Sequence, residues 1–303
     1  SQNSPKKPIL ASGRRPDFIK DTPKPPSPPD LRIHALRNYD MAEIFDYINP
    51  VMLYNRHLGY RGKFLEDLEL GRKRAVDLRS RVRVIEKLMI EREDIKAGGV
   101  YKFFRVSAEG DDILVWSTDG KRVIERFQFG RQTSGEGLCL SDYIVECGQL
   151  ASDYMSCFVT TVGTGIRDLA RTWIDDGRYL DAHILQALAI EGAEAFAEIL
   201  HQKLRSMWGI GDEDTISKQD LFRANYIGRR FSFGYPACPR LEDQIKLWRL
   251  LDPGKDVDVS LTDEFMMDPE ASVSAVVLHH AQAKYFNLST EDVEKLESRI
   301  RLT

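Results

Sequence analysis

The sequence predicts an α+β domain with a largely antiparallel sheet. Three observations lead there. β-rich segments come in local runs rather than alternating singly with helices. Within the first run, Glu109-Gly110-Asp111 and Thr118-Asp119-Gly120 are turn signals between neighbouring strand candidates. The helical patterns gather between the runs, and the longest covers Tyr179 to Trp208 with only Gly192 against it in propensity.

Taken in order, the elements begin with a tail. Eight of the 13 prolines fall in the first 30 residues, ending in Lys24-Pro25-Pro26-Ser27-Pro28-Pro29. Such a stretch favours extended polyproline backbone without a core, so residues 1 to 30 read as a linker or arm, or as a frayed terminus. An arm implies something upstream, such as another domain of a larger enzyme. The body, 31 to 303, opens with a short amphipathic helix carrying Ile44, Phe45 and Ile48, interrupted at Pro50. Residues 63 to 97 read as one or two charged surface helices, with Leu65, Leu68, Val76, Leu78, Val82, Val84, Ile85, Leu88 and Met89 as apolar positions.

A meander follows over Val100 to Val106, Ile113 to Ser117 and Arg122 to Phe129. Tyr154 to Val162 is a further strand, leading through Gly163-Thr164-Gly165 into helix. After the long helix, Ser217 to Ala224 predicts a short capped helix, and Leu241 to Leu251 another that Asp252-Pro253 terminates. Strands near Ser272 to His279 and Lys284 to Leu288 precede a last helix, whose N-terminus suits Thr290-Glu291-Asp292.

Composition narrows the function. The 303 residues are 42% apolar and 30% charged with a net charge of -4, which is globular and offers no general basic surface for nucleic acid. No run of 18 apolar residues predicts a membrane span, and Ser1 to Lys7 lacks the apolar stretch of a secretory signal, so a cytoplasmic chain is expected. Cys139, Cys147, Cys157 and Cys238 form no C-x-x-C pair; reduced thiols are expected rather than disulfides or zinc.

Several motifs imitate known chemistry. Gly163-Thr164-Gly165 fails as a dinucleotide fingerprint because the third glycine position is Asp168. Glu198-Ile199-Leu200-His201 is half of a carboxylate di-iron site without a second copy, so a helix-surface glutamate and a capped histidine are expected. Asp181-Ala182-His183 imitates the D-x-H-x-x-G of cobalamin-binding domains, but Gln186 replaces the glycine within a helical pattern, so the chain is not expected to carry its own cobalamin. His279-His280 at a strand end predicts one ring inward and one outward.

One segment is more specific. Arg230 and Gly234-Tyr235-Pro236-Ala237-Cys238-Pro239 read R-x-x-x-G-Y-P-A-C-P, and fifty residues beyond Tyr235 stands Lys284-Tyr285-Phe286. Gly234 permits a backbone approach that a side chain forbids, and Pro236 and Pro239 stiffen the loop. Arg230 offers a fork for a carboxylate, and Tyr235 and Tyr285 offer flat faces for a base or a cation. The plain alternative is a proline-rich turn packing two tyrosines, with Arg230 in a surface ion pair.

These residues, with Phe45-Asp46-Tyr47, Glu194-Ala195-Phe196-Ala197-Glu198 and Ala271-Ser272-Val273-Ser274, occur in the order and spacing of a known family. Over roughly residues 30 to 303 the chain resembles the S-adenosylmethionine-binding activation domain of cobalamin-dependent methionine synthase. The resemblance implies a single curved domain with S-adenosylmethionine extended along its inner face. The implied ligand residues are Asp46, Arg230, Tyr285 and Phe286, with Glu194, Ser232, Gly234 and Tyr235 also lining the site. Asp46 would meet the amino group and Arg230 the carboxylate or nearby polar atoms, and Tyr235 would lie nearest the corrin. Two departures stand out: Ala224 where the family often has glutamate, and Leu241 where histidine is common.

The implied activity is reductive reactivation, in which S-adenosylmethionine gives its methyl to reduced cobalamin. The cobalamin sits on another domain or chain, and flavodoxin or an equivalent reductase supplies the electron. A sulfonium is already a good leaving group and reduced cobalt a strong nucleophile, so the protein's work is positioning. Alternatives are a module that senses S-adenosylmethionine without methyl transfer, and an interaction protein with a vestigial pocket.

Overall fold

A seven-stranded antiparallel sheet organises the chain, in a computed structural model that describes residues 14–22, 24–146, 153–212, 217, 220, 223 and 226–302. The first elements are β1 (Ile33–Arg37), α1 (Met41–Asp46), a π-helical turn (Val51–His57), α2 (Phe64–Glu69) and α3 (Lys73–Glu91). The meander is β2 (Lys96–Glu109), β3 (Asp112–Trp116) and β4 (Val123–Gln128); a 3-10 turn (Leu140–Tyr143) leads to β5 (Asp153–Thr164). Then come α4 (Ile166–Asp175), α5 (Tyr179–Met207), β6 (Arg229–Phe231), a second 3-10 turn (Leu241–Asp243), α6 (Gln244–Leu251) and α7 (Pro253–Val257). The hairpin β7 (Ser260–Leu261) and β8 (Met267–Asp268), β9 (Ser272–Leu278) and α8 (Thr290–Arg301) complete the chain.

The strand order is β4-β3-β2-β5-β9-β6, with β1 pairing beside β3 along the same edge of the long β2. Side chains alternate across this sheet with the strand period of two. Tyr101 and Phe103 of β2, Phe158 and Val162 of β5, and Val273, Ala275 and Val277 of β9 face one core under α1, α3, α4 and α5. Val100, Phe104 and Val106, Cys157 and Val159, and Val276 and Leu278 face the other, under α6, α7 and the Leu140–Tyr143 turn. Each large apolar side chain enclosed in this way contributes roughly 1.5–3 kcal/mol. With both faces covered, the central strands read as continuous apolar runs.

Most predicted elements are present, and some expectations need correction. Lys284 to Leu288 is no strand: its amide and carbonyl groups serve single contacts, Leu288 N to Pro236 O at 3.0 Å and the Gln132 amide to Asn287 O at 2.9 Å, rather than a ladder. The last helix is capped by Ser289, whose hydroxyl accepts from Asp292 N while the Asp292 carboxylate accepts from Ser289 N. Val76 and Val84 are exposed, because the buried face of α3 is set by Ala75, Val82, Ile85 and Met89. The first helix ends at Asp46, just ahead of the interruption expected at Pro50, and Pro50 opens the π-helical turn. Four short strands, β1, β6 and the two of the β7–β8 hairpin, carried too few residues to register as periodic. The capped helix expected over Ser217 to Ala224 lies largely outside the described residues, as does Ala224 itself.

Both rings of His279-His280 are buried, one on each face of the sheet. His279 shares a 2.6 Å hydrogen bond with Asp153 and packs edge-on to Trp208, while His280 lies beside Tyr143 and bonds Lys20 O at 2.9 Å. The alternation is as expected, but the N-terminal segment covers the outward ring. Its described part lies over the body and turns at Asp17–Ile19, where Ile19 N bonds Pro16 O at 3.0 Å. Ile19 enters the core, Gln282 brackets Phe18 O and Lys20 N with bonds of 2.9 and 2.8 Å, and Trp208 donates to Pro26 O at 2.8 Å.

Candidate functional site

Helix α5 lies across β5 and β9, and β6 runs beside β9. Glu194 and Glu198, four residues apart on α5, therefore stand one above the other on a single helix face. Arg230, at the centre of β6, reaches both. Its Nη1 donates to Glu198 Oε2 at 2.5 Å, and its Nη2 lies 3.9 Å from Glu194 Oε2. The Glu198 side chain is 9% exposed and that of Glu194 45%, so Arg230 has an inner and an outer carboxylate. Burial works against the Arg230 charge, but the Glu198 and Glu194 carboxylates outweigh it and hold the guanidinium's pKa above its ordinary value.

After β6 the chain turns on itself. Gly234 takes a φ of +88°, and its amide donates to Cys238 O at 3.0 Å, while Cys238 N donates to Tyr235 O at 3.0 Å. A Cβ built on Gly234 would lie 3.1 Å from Leu241, so both torsion and space call for glycine. Leu241, the departure noted above, is thus a packing partner of the loop. The Cys238 thiol donates to Ser232 O at 3.0 Å, and burial drives its pKa up, so it stays protonated. Leu288 N bonds Pro236 O, which brings the Tyr285-Phe286 segment against the turn.

The result is a hollow of about 310 Å³ lined by Glu194, Arg230, Phe231, Ser232, Tyr235, Pro236, Ala237, Cys238, Tyr285, Phe286 and Asn287. Tyr235 is 60% and Tyr285 55% exposed, so both rings stand at its rim, with Tyr285 edge-on to Phe231 at 5.5 Å. The Glu194 charge, then burial, raises the Tyr235 phenol; burial raises that of Tyr285. Both are neutral at physiological pH. Six of the eight sequence-expected residues, Glu194, Arg230, Ser232, Tyr235, Tyr285 and Phe286, thus share one hollow, and Gly234 shapes its loop. Asp46 does not line it. It is exposed at the end of α1, which meets α5 where Ile44 faces Gly192, two positions before Glu194.

The expectation of a surface Glu198 and a capped His201 is corrected. Both are buried, Glu198 bonds Arg230, and neither His201 ring nitrogen has a hydrogen-bond partner among the described residues. Burial, and then the charges of Arg230, Arg205 and Arg229, push His201 well below the usual histidine pKa. Carboxylates spaced i, i+4 opposite a motif arginine were the available signal for Glu198. Among the described residues no three His, Cys, Asp or Glu side chains gather as metal ligands would. Asp181 is held by Arg81 and Arg178 and His183 by His57 O, on the first turns of α5. No described helix is long and apolar enough to cross a membrane.

The family model of the vitamin B12 dependent methionine synthase activation domain matches residues 40–300. The chain belongs to this family. An activation domain of this kind is also what the structural comparison returns: the MetH reactivation domain bound to AdoHcy has a TM-score of 0.83 and 26% identity, over 94% of this chain and 90% of that one. Methionine synthase of Mycobacterium tuberculosis is 32% identical over 287 residues, 87% of this chain and 23% of its own length. That of Mycobacterium leprae is 34% identical over 205 residues, 63% of this chain and 17% of its own. The chain therefore spans less than a quarter of the length of these relatives.

Proposed function

We propose that the chain binds S-adenosylmethionine in the Arg230–Tyr285 hollow and presents its methyl group to reduced cobalamin carried by another domain or chain. The observation that carries this reading is the pairing of a guanidinium with an outer carboxylate at the floor of an aromatic-rimmed hollow. The solved relative bound to AdoHcy supports it, since that ligand is what S-adenosylmethionine becomes on losing its methyl.

Each residue has a physical task. Arg230 takes the ligand's carboxylate or nearby polar atoms with the edge it shows to Glu194. Tyr235 and Tyr285 supply faces for adenine or for the sulfonium. The stiff Ser232–Cys238 turn keeps backbone groups aimed at the base edge, and Gly234 lets it approach. A ligand in extended pose that passes Glu194 toward α1 meets Asp46 with its amino group.

The visiting cobalamin supplies the nucleophile, and the sulfonium the leaving group. No proton moves, so neutral tyrosines and a protonated thiol suffice, and the chain's contribution is alignment. Flavodoxin or an equivalent reductase is the proposed electron source.

Calorimetric titration with S-adenosylmethionine tests the reading, with saturable binding expected. A flat titration, together with no rise in melting temperature, would remove it. Methyl transfer to an added, reduced cobalamin domain separates this function from a sensing module that binds and transfers nothing.

A further inference from the structure

We infer that Glu198 is the positioning residue that aims Arg230 into the hollow, although it does not line the hollow itself. The inference rests on the ligand reading above and adds a residue to it.

Arginine carries its charge on a long, rotatable stem and must be held if one edge is to meet a ligand. Glu198 holds it from inside. Its carboxylate is nine-tenths buried, accepts from Arg230 Nη1 at 2.5 Å through one oxygen, and has no partner on the other oxygen among the described residues. Arg230 is thus its hydrogen-bonding partner on the protein side. Glu194 is one helical turn away, half exposed, at 3.9 Å from the opposite nitrogen.

These two contacts differ in kind. A close, enclosed ion pair persists because separation would leave a bare charge in a poorly solvated place. A longer pair at the solvent edge is weak and exchangeable. A ligand anion can therefore replace Glu194 at Nη2 while Glu198 keeps Nη1. His201, one turn further along α5 and neutral, adds no competing charge for Glu198. The E-x-x-H pattern is a lever under the arginine, with its glutamate as the fixed end.

The test uses the full chain and S-adenosylhomocysteine, followed by calorimetry, with circular dichroism and melting temperature reporting on the fold. Glu198→Gln keeps size and hydrogen-bonding oxygen but removes the charge, and binding is expected to weaken by roughly tenfold or more. Glu198→Asp, charged but shorter by one methylene, is expected to fall between Gln and the unmodified chain. In an Arg230→Ala background neither change should weaken binding further, because Glu198 acts only through Arg230. Unmodified affinity in Glu198→Gln or Glu198→Asp overturns the inference, as does an equal loss with and without Arg230. Should Glu198→Gln fail to fold, the Glu198→Asp comparison in both backgrounds decides. Failure of the unmodified chain to bind overturns the ligand reading, and this inference with it.

Discussion

Leu288 donates its amide to the carbonyl of Pro236 at 3.0 Å, and this bond joins two segments that the sequence sets about fifty residues apart. One carries Tyr235 on the stiff turn, the other Tyr285 and Phe286. Leu288 spends its amide on this bond, and the Lys284–Leu288 stretch does not join the sheet. The hollow exists because a loop and a non-strand close on each other above α5.

Arg230→Ala is expected to weaken S-adenosylmethionine binding by about 1.5–3 kcal/mol, roughly 10- to 150-fold, the range for losing a charged hydrogen-bonding partner. Calorimetry reads it directly, and unchanged affinity would take Arg230 out of the site. Melting temperature should fall as well, since Glu198 is left buried without its cation.

Gly234→Ala places a side chain at a φ of +88° and 3.1 Å from Leu241. The left-handed conformation alone costs about 1–2 kcal/mol for a residue with a Cβ. Denaturant unfolding should register that loss, and ligand affinity should fall with it as the turn shifts. The double change Gly234→Ala with Leu241→Ala should recover only the part due to crowding.

The N-terminal segment should matter to stability. Ile19 is 4% exposed and packs in the same core as Phe286. Ile19→Ala is expected to destabilise the chain by about 2 kcal/mol or more in urea unfolding, as for other buried aliphatic truncations. A midpoint unchanged by this substitution would mean that residues 18–20 do not hold Gln282 and His280 in solution.

Acid should weaken the fold through His201. Its folded pKa is depressed, chiefly by burial and then by Arg230, Arg205 and Arg229. Unfolding frees it to take up a proton near pH 6.5, so stability is complete above that pH and falls below it. The slope is about 1.4 kcal/mol per pH unit for one proton taken up only by the unfolded chain. His280, lowered first by burial, adds in the same direction. Comparing unfolding free energies at pH 7.5 and 5.5 for the unmodified chain and His201→Gln should show a flatter dependence in the variant. Parallel curves would contradict this.

The local chemistry of the chain was legible before any fold. Apolar, β-rich runs marked β2, β5 and β9, turn signals separated the meander strands, and the long period over Tyr179 to Trp208 marked α5 nearly to its ends. A glycine between aromatic and proline residues marked a loop built to approach something closely. These features follow from short-range torsion and period, which each segment carries within itself.

Which carboxylate of α5 would be enclosed was settled elsewhere. Glu194 and Glu198 share a helix face and a residue type, and only the passage of β6 beside β9 sets Arg230 deep against one and shallow against the other. The same holds for His280, turned outward by strand alternation and then covered by Lys20 from the far end of the chain. Burial is a property of what packs on a residue. For these groups that partner arrives from 32 to 260 positions away, beyond any local pattern.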